Sequence, residues 1–136
     1  ANFLWIHRDP CQSIPSLLSH AQKSFNYNVS ELTLEYIKNI LFQAMEIKKT
    51  INKTQFLDIA YTELTSKPVL TIEKIYHYFH YPVCKEQQHN MKHYIKNNPQ
   101  NKYGVHQYNL EDYGLTQSTI WEALKPYCQT YGAYHG

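Results

Sequence analysis

Two residues near the start of the chain, Arg8 and Ser16, could together bind a phosphate group. Arg8 is the only arginine among 13 basic residues, and all the others are lysine. Because a guanidinium is a flat, two-pronged donor and an ammonium is a point charge, a single arginine indicates a place that needs bidentate recognition of an anion. Ser16 would lie about two helical turns further on and could add a hydroxyl to the same anion. The alternative is that Arg8 pairs with a carboxylate of its own chain and that Ser16 faces solvent.

The segment around these residues predicts a strand that turns directly into a helix. The apolar run at residues 3–6 is followed by Arg8 and then by Asp9 and Pro10. This pattern predicts a buried strand with Arg8 as its last residue, Asp9 as the helix N-cap and Pro10 at the first helical position. The first turn of such a helix offers unpaired N–H donors and the positive end of the helix dipole. The junction is therefore predicted to be an anion site.

The remaining segments predict further helices and one more strand. We expect a helix from a cap at Ser30 to about Lys53, a strand over residues 54–61, helices opening at Pro68 and Lys85, and a final helix that Thr116 caps and Pro126 disturbs. Strands separated by helices predict an α/β fold with a parallel sheet, whose ligands bind outside the carboxyl ends of the strands. Arg8 and Tyr61 both stand at such ends. Tyr61 either contacts a ligand or packs against the next helix, and the sequence leaves both open.

Apolar residues at helical spacing predict which helix faces are buried. On the long helix these are Leu34, Ile37, Ile40, Leu41, Ala44, Met45 and Ile51. On the final helix they are Ile120, Leu124, Tyr127, Cys128 and Tyr131. Periodicity of this kind predicts packing and not chemistry.

Composition excludes several classes of function. With 136 residues, 43% hydrophobic and 18% charged, the chain is predicted to be one globular domain. A net charge of +2 is too small to indicate nucleic acid or an acidic membrane as partner, and no apolar run approaches the ~20 residues of a membrane span. Three widely spaced cysteines predict buried, reduced thiols. His89 and His93 are one helical turn apart but have no third ligand, so no metal site is predicted.

Three segments, in this order along the chain, resemble sulfotransferases that use 3′-phosphoadenosine 5′-phosphosulfate (PAPS). The first is Arg8-Asp9-Pro10 with Ser16, the second is residues 57–64 followed by Pro68, and the third is residues 98–115. The resemblance implies that residues 1–136 form the C-terminal part of a P-loop-like, three-layer, parallel-sheet α/β fold, mostly helical in this part. The third segment looks more like the bacterial and Golgi-type branch than the cytosolic one. Because the chain would begin inside a strand, we expect it to be a fragment.

The resemblance also implies where the nucleotide binds. Arg8 and Ser16 would hold the 3′-phosphate, and Tyr61 would border the adenine. Lys102, Tyr103 and Gly104 resemble the loop that closes over the 3′-phosphate, although the cytosolic branch carries an arginine there that this chain lacks. No metal and no catalytic residue are implied within the chain.

The activity implied is transfer of a sulfuryl group from PAPS to a hydroxyl or amine acceptor, with 3′-phosphoadenosine 5′-phosphate as product. The glycine-rich phosphate loop and the catalytic base of the family lie upstream of the Arg-Asp-Pro segment, and this sequence contains neither. The isolated chain is therefore predicted to be inactive. The alternative is a catalytically inactive helical scaffold or interaction module built on the same framework. A nucleotide kinase is disfavoured because no phosphate loop or magnesium motif occurs.

Overall fold

The computed structural model describes residues 1–25, 34–99 and 109–132. The strands and helices in this part are β1 (Phe3–His7), α1 (Pro10–Phe25), α2 (Leu34–Thr50), β2 (Phe56–Ala60), α3 (Tyr61–Ser66), α4 (Pro68–Tyr78), α5 (Lys85–Asn97), α6 (Gln117–Ala123) and α7 (Lys125–Tyr131). The predicted α/β fold, mostly helical with a parallel sheet, is confirmed. The chain divides into a sheet unit, residues 1–7 with 52–106, and a helical unit, residues 8–51 with 107–136.

The sheet unit is built on a two-stranded parallel ladder. β1 pairs with β2 from Phe3 opposite Phe56 to His7 opposite Ala60. Because side chains alternate along a strand, Phe3, Trp5 and His7 share one face of the sheet with Phe56 and Asp58. The rings of Phe3 and Phe56 stack with centroids 6.1 Å apart on this face. Side-chain packing between the strands therefore sets their register.

The prediction that β1 is a buried strand is wrong for most of its apolar residues. Phe3, Leu4 and Ile6 are 44%, 42% and 41% exposed. The physical reason is that the sheet has two strands in the part of the chain that the structure describes, so β1 is covered by a neighbouring strand along one edge. An apolar run indicates a strand but does not show how many strands surround it.

Helix α3 begins where β2 ends, although the sequence predicted a strand up to Tyr61. The buried hydroxyl of Thr71, on α4, donates to the backbone carbonyl of Glu63 at 3.1 Å. Lys74 Nζ reaches the Glu63 carboxylate at 2.9 Å. These contacts tie α4 to α3, and Pro68 starts α4 as predicted. The helix predicted to open at Lys85 is α5.

The helical unit has an apolar core. All five residues predicted for the buried face of the final helix are buried: Ile120, Leu124, Tyr127, Cys128 and Tyr131. The final helix is nevertheless two helices, α6 and α7, because Pro126 lies in the first turn of α7, where its missing N–H does no harm. Helix α1 continues through Pro15.

Helix α2 follows its predicted stripe only in part. Ile37 is buried, whereas Ile40 is 47% exposed, so the inward face is narrower than the sequence predicted. The cap predicted at Ser30 lies outside the described residues. No helix in the described ranges is long and apolar enough to cross a membrane.

Candidate functional site

The junction between β1 and α1 has the capped geometry that the sequence predicted. Asp9 Oδ1 accepts a hydrogen bond from the Cys11 backbone N–H at 2.8 Å. The Asp9 carbonyl accepts from the N–H groups of Gln12 at 3.0 Å and Ser13 at 2.9 Å. Asp9 is therefore the N-cap and Pro10 the first helical residue, as predicted. The strand ends at His7, so Arg8 lies one residue beyond it and not at its last position.

The same hydrogen bonds overturn part of the predicted anion site. Pro10 has no N–H, and the next three N–H groups all donate to Asp9. The first turn of α1 therefore offers no unpaired backbone donor, because its own cap uses those that an anion would need. An anion at this junction must be bound by side chains.

Arg8 is the charged side chain best placed for that task. It is half-buried at the start of the helical unit, and its Nε atom is shielded from solvent. Partial burial strengthens the electrostatic attraction of a guanidinium for an anion, because less water screens the charge.

Ser16 lies on α1, which runs past it as the prediction required. Its side chain is half-buried and makes no hydrogen bond within the described part of the chain. Ser13, three residues earlier and also half-buried, lies on the same edge of the helix. Sequence reasoning missed Ser13, although its spacing from Ser16 would have pointed to it. Helix α1 thus presents two hydroxyls on one edge.

The other predicted nucleotide-binding residues are spread over the chain. Tyr61 is the first residue of α3, immediately after β2, and is half-buried. It therefore stands at the carboxyl end of a strand, as predicted, but as the start of a helix. Lys102, Tyr103 and Gly104 lie outside the described residues, so their role stays a prediction.

A polar pair in the sheet unit, with one partner fully buried, was not found by sequence reasoning. His7 is fully buried, and its Nε2 is 2.8 Å from Asp58 Oδ1. The Trp5 ring packs against the imidazole, with centroids 4.9 Å apart. The signal that could have revealed the pair is Asp58 itself, since aspartate is depleted in strands.

The thiols near the junction are poor nucleophiles. Burial, with the nearby Asp9 charge as a smaller cause, raises the pKa of Cys11 to about 11. Burial also raises the pKa of Cys128, so both thiols stay protonated at neutral pH. Cys84 is exposed and Cys11 is half-buried, so the prediction of buried thiols holds for Cys128 and is wrong for the other two. Within the described residues, no cluster of three His, Cys, Asp or Glu could hold a metal ion.

Comparison with known proteins identifies the family. The sequence model described as "Sulfotransferase family" matches residues 1–86 of the chain. The crystal structure of sulfotransferase STF9 from Mycobacterium avium is similar with a TM-score of 0.75 and 20% sequence identity, over 93% of this chain and 35% of that one. No curated protein sequence matches the chain significantly.

The two similarities carry different weight. At 20% identity the likeness to STF9 shows the fold alone, and the chain spans 35% of that structure's length. The predicted fold, part of a larger sulfotransferase fold, is thereby confirmed. The sequence match covers the β1–α1 junction, both strands and the helices through α4, and it extends over more than half of the chain. The chain therefore belongs to the sulfotransferase family.

Proposed function

We propose that this chain is the part of a PAPS-dependent sulfotransferase that binds the 3′-phosphate and the adenosine of the nucleotide. The whole protein transfers the sulfuryl group of PAPS to a hydroxyl or amine acceptor. The observation that carries the proposal is the β1–α1 junction, where the chain's single arginine stands beside a capped helix within the segment that matches the family. The bacterial or Golgi-type branch stays a prediction.

Side chains do the phosphate binding in this proposal. Arg8 donates two hydrogen bonds to the 3′-phosphate, and Ser16 donates a third from its hydroxyl. Asp9, although anionic, accepts hydrogen bonds from the start of α1, and the positive end of the helix dipole offsets its charge. It therefore shapes the junction without occupying the anion position.

The remaining predicted residues complete the nucleotide site. Tyr61 offers an aromatic ring that can border the adenine by stacking or edge contact. Lys102, Tyr103 and Gly104 close over the 3′-phosphate, where a lysine charge and an exposed glycine N–H suit an anion.

None of these residues touches the sulfur. In the reaction, the sulfur–oxygen bond to the nucleotide's 5′-phosphate breaks as a bond to the acceptor oxygen or nitrogen forms. A base takes the acceptor proton, and cationic groups stabilise the charge left on the phosphate. The residues of this chain contribute binding energy remote from that centre, which orients the donor for in-line attack. The phosphate loop and the base of this reaction come from outside these 136 residues.

The experiment that tests the proposal is a calorimetric titration of the full-length protein with 3′-phosphoadenosine 5′-phosphate, with 5′-AMP as the control nucleotide. Arg8→Ala is expected to weaken binding of the bisphosphate by about tenfold to a hundredfold, because it removes a charge-assisted bidentate contact. Lys23→Ala removes an exposed charge from the same helix and is the matched control, expected to leave affinity unchanged.

Two outcomes would contradict the proposal. One is that the wild-type protein fails to prefer the 3′-phosphate. The other is that Arg8→Ala and Lys23→Ala behave alike.

The alternative function, an inactive interaction module, has one observation in its favour. Apolar side chains of β1 are more than 40% exposed, which is typical of a surface that another polypeptide segment covers. A module of this kind would not bind the nucleotide, so the same titration separates the two functions.

A further inference from the structure

The pair of His7, which is fully buried, and Asp58, which is 19% exposed, is a polar feature of the sheet unit that the proposed nucleotide site does not use. His7 is the last residue of β1 and Asp58 is the central residue of β2. In the ladder His7 stands opposite Ala60, and Asp58 stands opposite Trp5. The hydrogen bond at 2.8 Å therefore runs diagonally across the two strands. It adds a side-chain connection to the backbone ladder at the end of β1.

Stability alone does not account for such a pair. A fully buried imidazole must be hydrogen-bonded, because a buried polar group without a hydrogen-bond partner destabilises the fold. An apolar residue would fill the same space without that requirement, and replacing buried ionic pairs by apolar residues is often neutral or stabilising. The imidazole has 0% exposure and the Trp5 ring packs against it, so water is kept from the His7 side of the bond, whereas the Asp58 side chain is 19% exposed. The pair thus sets one geometry at this position.

The hydrogen bond anchors His7, the residue that directly precedes Arg8. His7 is bonded covalently to Arg8, so the orientation of the His7 backbone determines where the Arg8 backbone begins. The hydrogen bond anchors His7 to a residue two positions before the end of β2. A strand end that carries such an anchor has less freedom to fray than one that is held by the ladder alone.

We infer that His7 and Asp58 are positioning residues for Arg8. Their hydrogen bond holds the end of β1 so that the guanidinium is presented to the 3′-phosphate in one orientation. This inference rests on the proposed function. The pair is expected to affect how strongly the protein prefers nucleotides with a 3′-phosphate. It does not contact the nucleotide itself.

The test uses the ratio of the dissociation constants of 5′-AMP and 3′-phosphoadenosine 5′-phosphate, measured on the full-length protein. Asp58→Asn keeps the size of the side chain but replaces the carboxylate by an amide. It is expected to lower the ratio on the order of fivefold, as for coupled neighbouring residues. Glu63→Gln breaks the exposed ion pair with Lys74 in the same unit and is the matched control, expected to leave the ratio unchanged.

A double-mutant cycle separates positioning from a general loss of stability. If the pair acts through Arg8, Asp58→Asn lowers the ratio no further once Arg8→Ala is present. A purely structural role would weaken both nucleotides alike and would leave the ratio unchanged. His7→Gln changes the other partner of the same hydrogen bond and retains a buried hydrogen-bonding group. It is the test variant if Asp58→Asn does not fold.

The outcomes distinguish the two claims. A wild-type protein without preference for the 3′-phosphate overturns the proposed function and this inference with it. A wild-type protein with that preference, retained in Asp58→Asn and His7→Gln, overturns this inference alone. Full additivity of the effects of Asp58→Asn and Arg8→Ala on the ratio also overturns this inference alone.

Discussion

The two units contain the same two local structures, a left-handed backbone position and a helix with a capping box, but use different residues in them. Each has a residue in the left-handed backbone region: Gly114 with φ of 66° in the helical unit and His80 with φ of 57° in the sheet unit. Each also has a helix with a capping box, begun by Thr116 in the helical unit and by Cys84 in the sheet unit. In both cases the helical unit uses a residue that the local physics favours and the sheet unit uses a less favourable one.

The residues buried in the cores also differ, and the less favourable residue types are again in the sheet unit. Ile120 and Leu124 are fully buried in the helical unit. The sheet unit buries Ile59 to the same degree but also buries His7 and Thr71, at 0% and 1% exposure, whereas Ser19 in the helical unit is 8% exposed. Apolar side chains are partly exposed in both units. Proteins break local rules mainly where function requires it. The comparison indicates that the helical unit carries favourable residues at its cap and its left-handed position, and that the sheet unit can still gain stability at the equivalent positions.

The largest expected difference between the units is in core truncation. Leu124→Ala removes a fully buried side chain and is expected to cost about 2–5 kcal/mol of unfolding free energy. Ile6→Ala, at a residue that is 41% exposed, is expected to cost about 1 kcal/mol, because less apolar surface returns to water. Urea unfolding measures both values. Equal losses would contradict the contrast between a closed core and a half-covered strand.

Thiol reactivity is the next contrast. Burial raises the pKa of Cys11 to about 11, so on the order of 0.1% of this thiol is ionised at pH 8. Cys84 is exposed, and we expect iodoacetamide to modify it well before Cys11 or Cys128. Mass spectrometry of timed samples gives the order. Cys84→Ser is the control that should remove the fast phase, and a fast phase that persists would refute the assignment.

Exchange of the left-handed residues should move stability in opposite directions. Gly114→Ala is expected to cost about 1–2 kcal/mol, and the cost is backbone strain alone because an added Cβ would meet no atom within 4 Å. His80→Gly is expected to gain about 0.5–1 kcal/mol, since glycine adopts positive φ without strain. Thermal unfolding of both variants checks the signs. A loss on His80→Gly would mean that the imidazole makes a compensating contact.

The smallest expected effects are at the two caps. Thr116→Ala removes the side chain that accepts from the Thr119 N–H at 3.1 Å and is expected to cost about 1 kcal/mol. Cys84→Ser should gain a few tenths of a kcal/mol, because oxygen accepts the Gln87 N–H better than sulfur does, now at 3.4 Å. Paired denaturant titrations resolve both changes. If Cys84→Ser does not raise the free energy of unfolding, the cap of α5 does not limit the stability of the sheet unit.

Local patterns predicted much of the fold and part of the site. Asp9 and Thr116 cap the helices that were assigned to them, because capping depends on residues two or three apart. The apolar stripe from Ile120 to Tyr131 is buried for the same reason: helical periodicity places those residues on one face. Among the predicted nucleotide-binding residues, Ser16 lies on the helix that the pattern required.

Long-range features were beyond the sequence. The partial exposure of β1 depends on which strands lie beside it, and the exposure of Ile40 depends on what packs against α2. Neither follows from spacing. The use of the α1 N–H donors by Asp9 was implicit in the predicted cap, but the geometry of the turn was needed to show that all of them are used.

Because short motifs and periodicity are local properties of the chain, the sequence was enough to indicate the family, the two strands, most of the helices and the residue types available for phosphate binding. The contact between His7 and Asp58, 51 residues apart, is visible only in the folded chain, where His7 is fully buried and Asp58 is 19% exposed. That contact depends on the register of two parallel strands, which the packing of Phe3, Trp5 and Phe56 helps to set and which no local pattern contains.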